Sequence, residues 1–144
     1  MSRFVFGSWA LWCALSCQGA SKPDYWIDPD TRLMWTAADN GSGVSWLQAQ
    51  RYCRDLALDG FHNWMLPSID DLQGLVAADT QSAYRIKAPI KLTGWQWSST
   101  PGKQKGEGWA LDFGDGGRAS VAAGDSGLNR ALCLRPAGRH LPAK

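Results

Sequence analysis

Charge is sparse in this sequence and nearly balanced: Asp, Glu, Lys and Arg make up 19% of 144 residues, and the formal net charge is +2. So small a basic excess argues against phosphate-driven binding, and nucleic acid is not expected as a partner. Histidine is scarcer still, with His62 and His140 standing alone and no Cys or His beside either to complete a metal-ligand set. Ser98, Ser99 and Thr100 offer hydroxyls, yet no His or paired carboxylate has an evident claim to activate them. No catalytic residue, metal or cofactor is therefore assigned. Internal repeats, low-complexity stretches and collagen-like Gly-X-Y runs are absent, and the length suits one domain with a single core.

Long apolar runs are also missing, apart from one. Arg3 precedes a run from Phe4 to Leu15, followed by the small residues Ser16, Gly19, Ala20 and Ser21. The run is shorter than the about 20 residues a membrane span needs, and residues 1–20 read as a secretory signal peptide. Two cleavage readings stand. Ala14-Leu15-Ser16-Cys17 approximates a lipobox and resembles bacterial lipoproteins, in which Cys17 would become the lipidated first residue and attach the chain to a membrane. Those proteins usually have Leu where Ala14 stands. Gly19, Ala20 and Ser21 instead fit an ordinary signal peptidase, and Gln18 to Asp24 would form a short polar tether. The remaining organisation is a domain over residues 21–136 and a tail over 137–144. Setting aside Cys13 and Cys17 leaves Cys53 and Cys133 in the folded part, and an exported domain with two cysteines predicts one disulfide between them.

Tryptophan and glycine are what the sequence has in excess, nine and sixteen respectively, which indicates aromatic anchors joined by many turns. Tyr25–Ile27 and Leu33–Trp35 flank the turn sequence Asp28-Pro29-Asp30-Thr31 and read as a hairpin. Ser45 and Gln48 have capping-box spacing, and Trp46, Ala49, Cys53 and Leu56 form the buried stripe of a helix expected to reach about Leu58, where Asp59-Gly60 ends it. Trp64-Met65-Leu66-Pro67 is extended, because Pro67 disfavours helical angles at Leu66. Ser68 caps a second helix, with Ile69, Leu72, Leu75 and Val76 facing inward as far as about Ala78. Asp79 to Thr93 has no period and reads as a long loop. Strands are expected at Trp95–Ser99, Trp109–Phe113, Arg118–Ala122 and Asn129–Arg135; the middle two form a hairpin over Gly114-Asp115-Gly116-Gly117. In the last strand, Ala131 and Cys133 alternate with Leu132 and Leu134, so Cys133 can face the first helix.

In order along the chain stand Trp35, the Trp46-to-Cys53 helix, Trp64-Met65-Leu66-Pro67, Asp71-Leu72, Trp97-Ser98-Ser99-Thr100, Asp112-Phe113-Gly114-Asp115-Gly116 and Cys133-Leu134-Arg135. Together these resemble the Lcl C-terminal domain family, over residues 24–136. Two places depart from its pattern, Met65 where the family usually has Arg and Asp71 where it has Glu. The resemblance implies an α+β, C-type lectin-like fold, with two helices packed on small antiparallel sheets and long loops at one end. It also implies an exported or surface protein, since the family includes the tip domain of a collagen-like adhesin that binds sulfated glycosaminoglycans.

Trp35, Trp46, Trp64, Leu66, Pro67 and Trp97 fall within these motifs and are assigned to the core. Asp112, Asp115 and Asp125 could gather around Ca²⁺, but their spacing matches no calcium motif and a solvated turn explains them better. Lys103, Lys105 and Arg118 form a candidate cationic patch, and Trp95 or Trp109 a candidate stacking face, in the connections between Thr93 and Arg118. The expected function is a non-catalytic binding or adhesion module of the bacterial envelope, recognising acidic glycans or a surface protein. Its place would be the periplasm, the outer membrane as a lipoprotein, or the cell surface. Two alternatives are a structural subunit of an envelope complex and an enzyme of the formylglycine-generating branch of the fold. The second is disfavoured because no further cysteine lies near Cys133.

Overall fold

A computed structural model of the chain describes residues 22–78 and 82–138. The signal segment, Cys17, His140 and most of the tail lie outside the described residues. Nine elements follow in order: β1 (Tyr25–Ile27), β2 (Leu33–Thr36), α1 (Trp46–Asp55), α2 (Ile69–Gln73), β3 (Trp95–Pro101), β4 (Glu107–Asp112), β5 (Gly117–Ala122), β6 (Asn129–Arg130) and β7 (Leu134–Pro136). They make a three-stranded sheet, β1-β2-β7, and a four-stranded sheet, β5-β4-β3-β6. Two helices with two small sheets form a mixed α+β architecture consistent with the C-type lectin-like fold.

Local chemistry accounts for the elements legible in the sequence. The first hairpin closes because Asp28 bonds through its backbone to Leu33 and Arg32, while its side chain accepts the Asp30 N–H at 2.9 Å. Both helices begin with reciprocal capping boxes, Ser45 with Gln48 and Ser68 with Asp71, so orphan amide donors of each first turn are satisfied. α1 stops at Asp55, earlier than its apolar stripe indicates, because Leu56 turns to an extended conformation. The Asp59-Gly60 pair, with φ of 50° and 77°, is instead the turn of a small Leu58–Phe61 bridge. Two central residues at positive φ are what an Asp-Gly hairpin turn requires.

Two expectations are corrected by long-range pairing. α2 ends at Gln73, not near Ala78, because the backbone that follows pairs with another segment: Lys87 N–H bonds Leu75 O, and Ala77 N–H bonds Arg85 O. The single strand expected from Asn129 to Arg135 is two. β6 runs parallel to β3, whereas β7 runs antiparallel to β2 in the other sheet. Between them the chain bonds to side chains, Ala131 N–H donating to Asn40 Oδ1 and Cys133 N–H to Thr36 Oγ1. The predicted alternation survives, with both faces buried. Ala131 and Cys133 enter a cluster with Met34, Ala49, Cys53, Trp64 and Trp97, while Leu132 and Leu134 enter one with Trp35, Leu72, Leu111 and Phe113.

Trp35, Trp64, Leu66, Pro67 and Trp97 are buried. Trp46 is half-buried, and its indole packs against Gly108 of β4. A Cβ built on Gly108 would come within 2.8 Å of that ring, so only glycine permits the approach. Two tryptophan N–H groups tie α1 and the loop before it to β3: Trp46 donates to Ser98 O at 2.7 Å and Trp97 to Val44 O at 2.7 Å.

Cys53 of α1 and Cys133 form a disulfide with their Cα atoms 5.4 Å apart and 80 residues of separation. The pair joins the helix to the segment between the sheets. Constraining a loop of that length stabilises by about 4 kcal/mol in the chain-entropy model. A Cys53→Ala, Cys133→Ala double variant is therefore expected to lose about that much in denaturant unfolding, with no free thiol detected at Cys53 or Cys133 in the denatured, non-reduced wild type.

Candidate functional site

β4 and β5 form an unbroken hairpin ladder in which Trp109 lies opposite Ser120 and Leu111 opposite Arg118. Directly opposed residues of an antiparallel pair share a face, so Trp109, Ser120 and Arg118 project together. The connection from β3 to β4 folds back over this face. Gly102 N–H bonds Glu107 O at 2.7 Å, and Lys103 N–H donates to Ser120 Oγ at 2.8 Å. The Ser120 hydroxyl in turn donates to the Glu107 carboxylate. Lys103 is thereby anchored through its backbone, leaving its side chain free to reach the tryptophan.

Lys103 Nζ lies 5.6 Å from the Trp109 ring centroid and Arg118 Cζ 5.3 Å from it. Both are within the range at which a ring quadrupole attracts a cation, about 0.5–1 kcal/mol each at an exposed site. Three residues singled out from sequence thus form one cluster. Its mode differs from expectation, because cations occupy the Trp109 ring that was considered as a stacking face for a sugar. Lys105 is exposed two residues further along the same connection, while Lys103 and Arg118 are the cations recorded over the ring.

Trp95 belongs elsewhere. It shares a face with Trp97 at two-residue spacing, and Trp97 pairs with Ala110, the neighbour of Trp109. The two candidate tryptophans therefore lie on opposite faces of the four-stranded sheet, and they pack against different core clusters. Trp95 lines a cavity of about 280 Å³ with Ala119, Val121, Leu128, Asn129 and Asp125. The connection between β3 and β4 is shorter than expected, since β3 runs on to Pro101 and β4 begins at Glu107.

Glu107, Ser120 and Leu128 were not singled out from sequence. The first two lie at two-residue steps from Trp109 and Arg118, a signal that the alternation contained. Leu128, 68% exposed, had no such signal.

The other candidate groups are committed to structure. Ser98 is buried, and its hydroxyl donates to Trp109 O at 2.6 Å; Thr100 Oγ1 accepts the Ile69 N–H. Asp112, Asp115 and Asp125 each accept the N–H two residues ahead, as turn-forming carboxylates do. Among the described residues no group of three or more His, Cys, Asp or Glu side chains is placed to hold a metal. A second cavity of about 280 Å³ lies beside Asp39 and Tyr52. Asp39 already accepts from Gly41, from the Thr93 N–H and hydroxyl, and from Gln96. Burial and the negative charge of Asp39 raise the Tyr52 phenol above its ordinary pKa.

With the fold and this cluster described, the chain can be compared with known proteins. It belongs to the Lcl C-terminal domain family, whose sequence profile matches residues 25–135. A search of curated proteins returned no significant match.

The cluster makes a direct spectroscopic prediction. The side-chain protons of Lys103 and Arg118 are expected upfield of their random-coil positions, shifted by the Trp109 ring current. They should return toward those positions in Trp109→Leu. Since Trp109 is only half-buried, this variant should cost less than the about 3–5 kcal/mol of truncating a fully buried tryptophan.

Proposed function

We propose that the chain is an exported, non-catalytic recognition module of the cell envelope that holds an acidic group of a glycan, a sulfate or carboxylate, between Lys103 and Arg118. The observation that carries this reading is the convergence of two like charges on one tryptophan ring. Neighbouring cations repel each other, and the ring offsets only part of that repulsion. An anion bound between them removes the rest. Arg118 supplies a planar fork matched to carboxylate and sulfate oxygens, while Lys103 acts as a point charge. Glu107, the acidic residue of the cluster, is held by Ser120 and fixes the connection.

Family membership supports recognition over catalysis, and the hydrogen-bonded state of Ser98 agrees with it. Export is inferred from Arg3 and the apolar run up to Leu15. Charge contacts at a water-exposed site are weak, about 1 kcal/mol each, and are screened over roughly 8 Å at physiological salt. A sulfated glycosaminoglycan oligosaccharide should therefore bind weakly and lose affinity as salt rises. Lys103→Ala and Arg118→Ala should each reduce affinity about fivefold at low salt, with Lys105→Ala having a smaller effect. Titration calorimetry at low and high salt reads this out. Absence of binding at low salt, or binding indifferent to salt and to both variants, overturns the glycan site.

A further inference from the structure

β5 is the edge of the four-stranded sheet, paired with β4 alone, and none of its six residues is buried. Edge strands present unpaired backbone groups, and proteins usually blunt them with proline, bulges or inward charges. β5 has no proline, and its register with β4 is continuous from Gly117 to Ala122. The ladder also shows which groups are free. Ala123 N–H bonds Gly106 O, so alternation along an antiparallel pair turns the N–H and C=O groups of Arg118 and Ser120 away from β4. Among the described residues, no partner for these groups is recorded. The Ala122 carbonyl, by contrast, is taken by Asp125.

The two faces flanking this edge differ in chemistry. On one side, Arg118 and Ser120 adjoin Lys103 and Trp109. On the other, Ala119 and Val121 border the cavity lined by Trp95 and the exposed Leu128, with Asp125 as its charged residue. A strand laid along β5 sends successive side chains to alternate faces. One set would meet cations, and the other would meet an apolar cavity whose carboxylate repels acids.

We propose that β5 is a docking edge for an extended segment of a protein partner in which acidic side chains alternate with apolar ones. Backbone bonds to Arg118 and Ser120 supply the attachment, and the two faces supply register and specificity. The cationic face is shared with the proposed glycan site, but the edge bonds and the Trp95 cavity are not. A second copy of this chain fits poorly, because paired β5 strands would bring two Lys103–Arg118 clusters together.

The test uses the oxidised full chain and four blocked hexapeptides: one alternating glutamate with valine, one with the same residues as a glutamate block and a valine block, and two alternating peptides N-methylated on one backbone edge or the other. The alternating peptide is expected to bind and to slow hydrogen exchange at the Arg118 and Ser120 amides. N-methylation of the edge facing β5 should weaken it about tenfold or more, and methylation of the opposite edge should not. Arg118→Ala should weaken it while the free protein stays folded and unfolds in one cooperative transition. A sulfated oligosaccharide should leave those amides unprotected, so failure of the glycan reading and failure of this one are separate results. Absent peptide binding, equal binding of the block peptide, or indifference to both methylations overturns the proposal. Protection of the same amides that rises with protein concentration alone would assign the edge to a second copy and also overturn it.

Discussion

The segment from Ala131 to Leu134 is the constraint on which the fold depends. Four consecutive buried residues send side chains alternately into two clusters as the backbone passes from β6 in one sheet to the other, which it joins where Thr36 N–H of β2 bonds Cys133 O. Buried amides in such a position need partners, because an unmet donor costs about 1–3 kcal/mol. Asn40 and Thr36 provide them, as a carboxamide and a hydroxyl acting in place of a neighbouring strand. The disulfide then joins this segment to α1, so helix, segment and both sheets share one point of attachment.

What was legible in the sequence was local. Capping boxes, the Asp-Pro-Asp-Thr turn, the Pro67 extension and the cysteine pair each depend on residues close in sequence or on simple parity, and each has a counterpart in the structure. The missed features come from partners far along the chain. Nothing near Leu75 announces that its carbonyl will bind Lys87 N–H, and nothing near Cys133 announces two sheets. The Asp59-Gly60 pair has the same limitation, since a helix stop and a hairpin turn use the same residues.

The candidate site divides along the same line. Lys103, Trp109 and Arg118 were recognisable by residue type, and the hairpin register brings Trp109 and Arg118 to one face. Separating Trp95 from them required the pairing of Trp97 with Ala110, beyond which the β3–β4 register shifts before Pro101. Strand alternation makes such a distinction absolute: a one-residue difference in pairing moves a side chain to the other face. The same geometry gives the sheet one cationic face at β5 and one apolar face, with both chemistries reaching the edge.

The last strands complete both sheets, and this has a consequence for how the chain comes into being. A ribosome or translocation channel delivers the N-terminus first, so β2 and β3 emerge long before β7 and β6, their respective partners. Cys53 likewise waits 80 residues for Cys133. Until then Met34, Trp35 and Trp97 have incomplete cores, and the closure entropy of these long loops is unrewarded. Folding is thus deferred until β6 and β7 have been delivered, and joining Cys53 to Cys133 is a closing event. A nascent chain of this kind is most exposed to proteases and holdases in the interval just before β6 and β7 emerge.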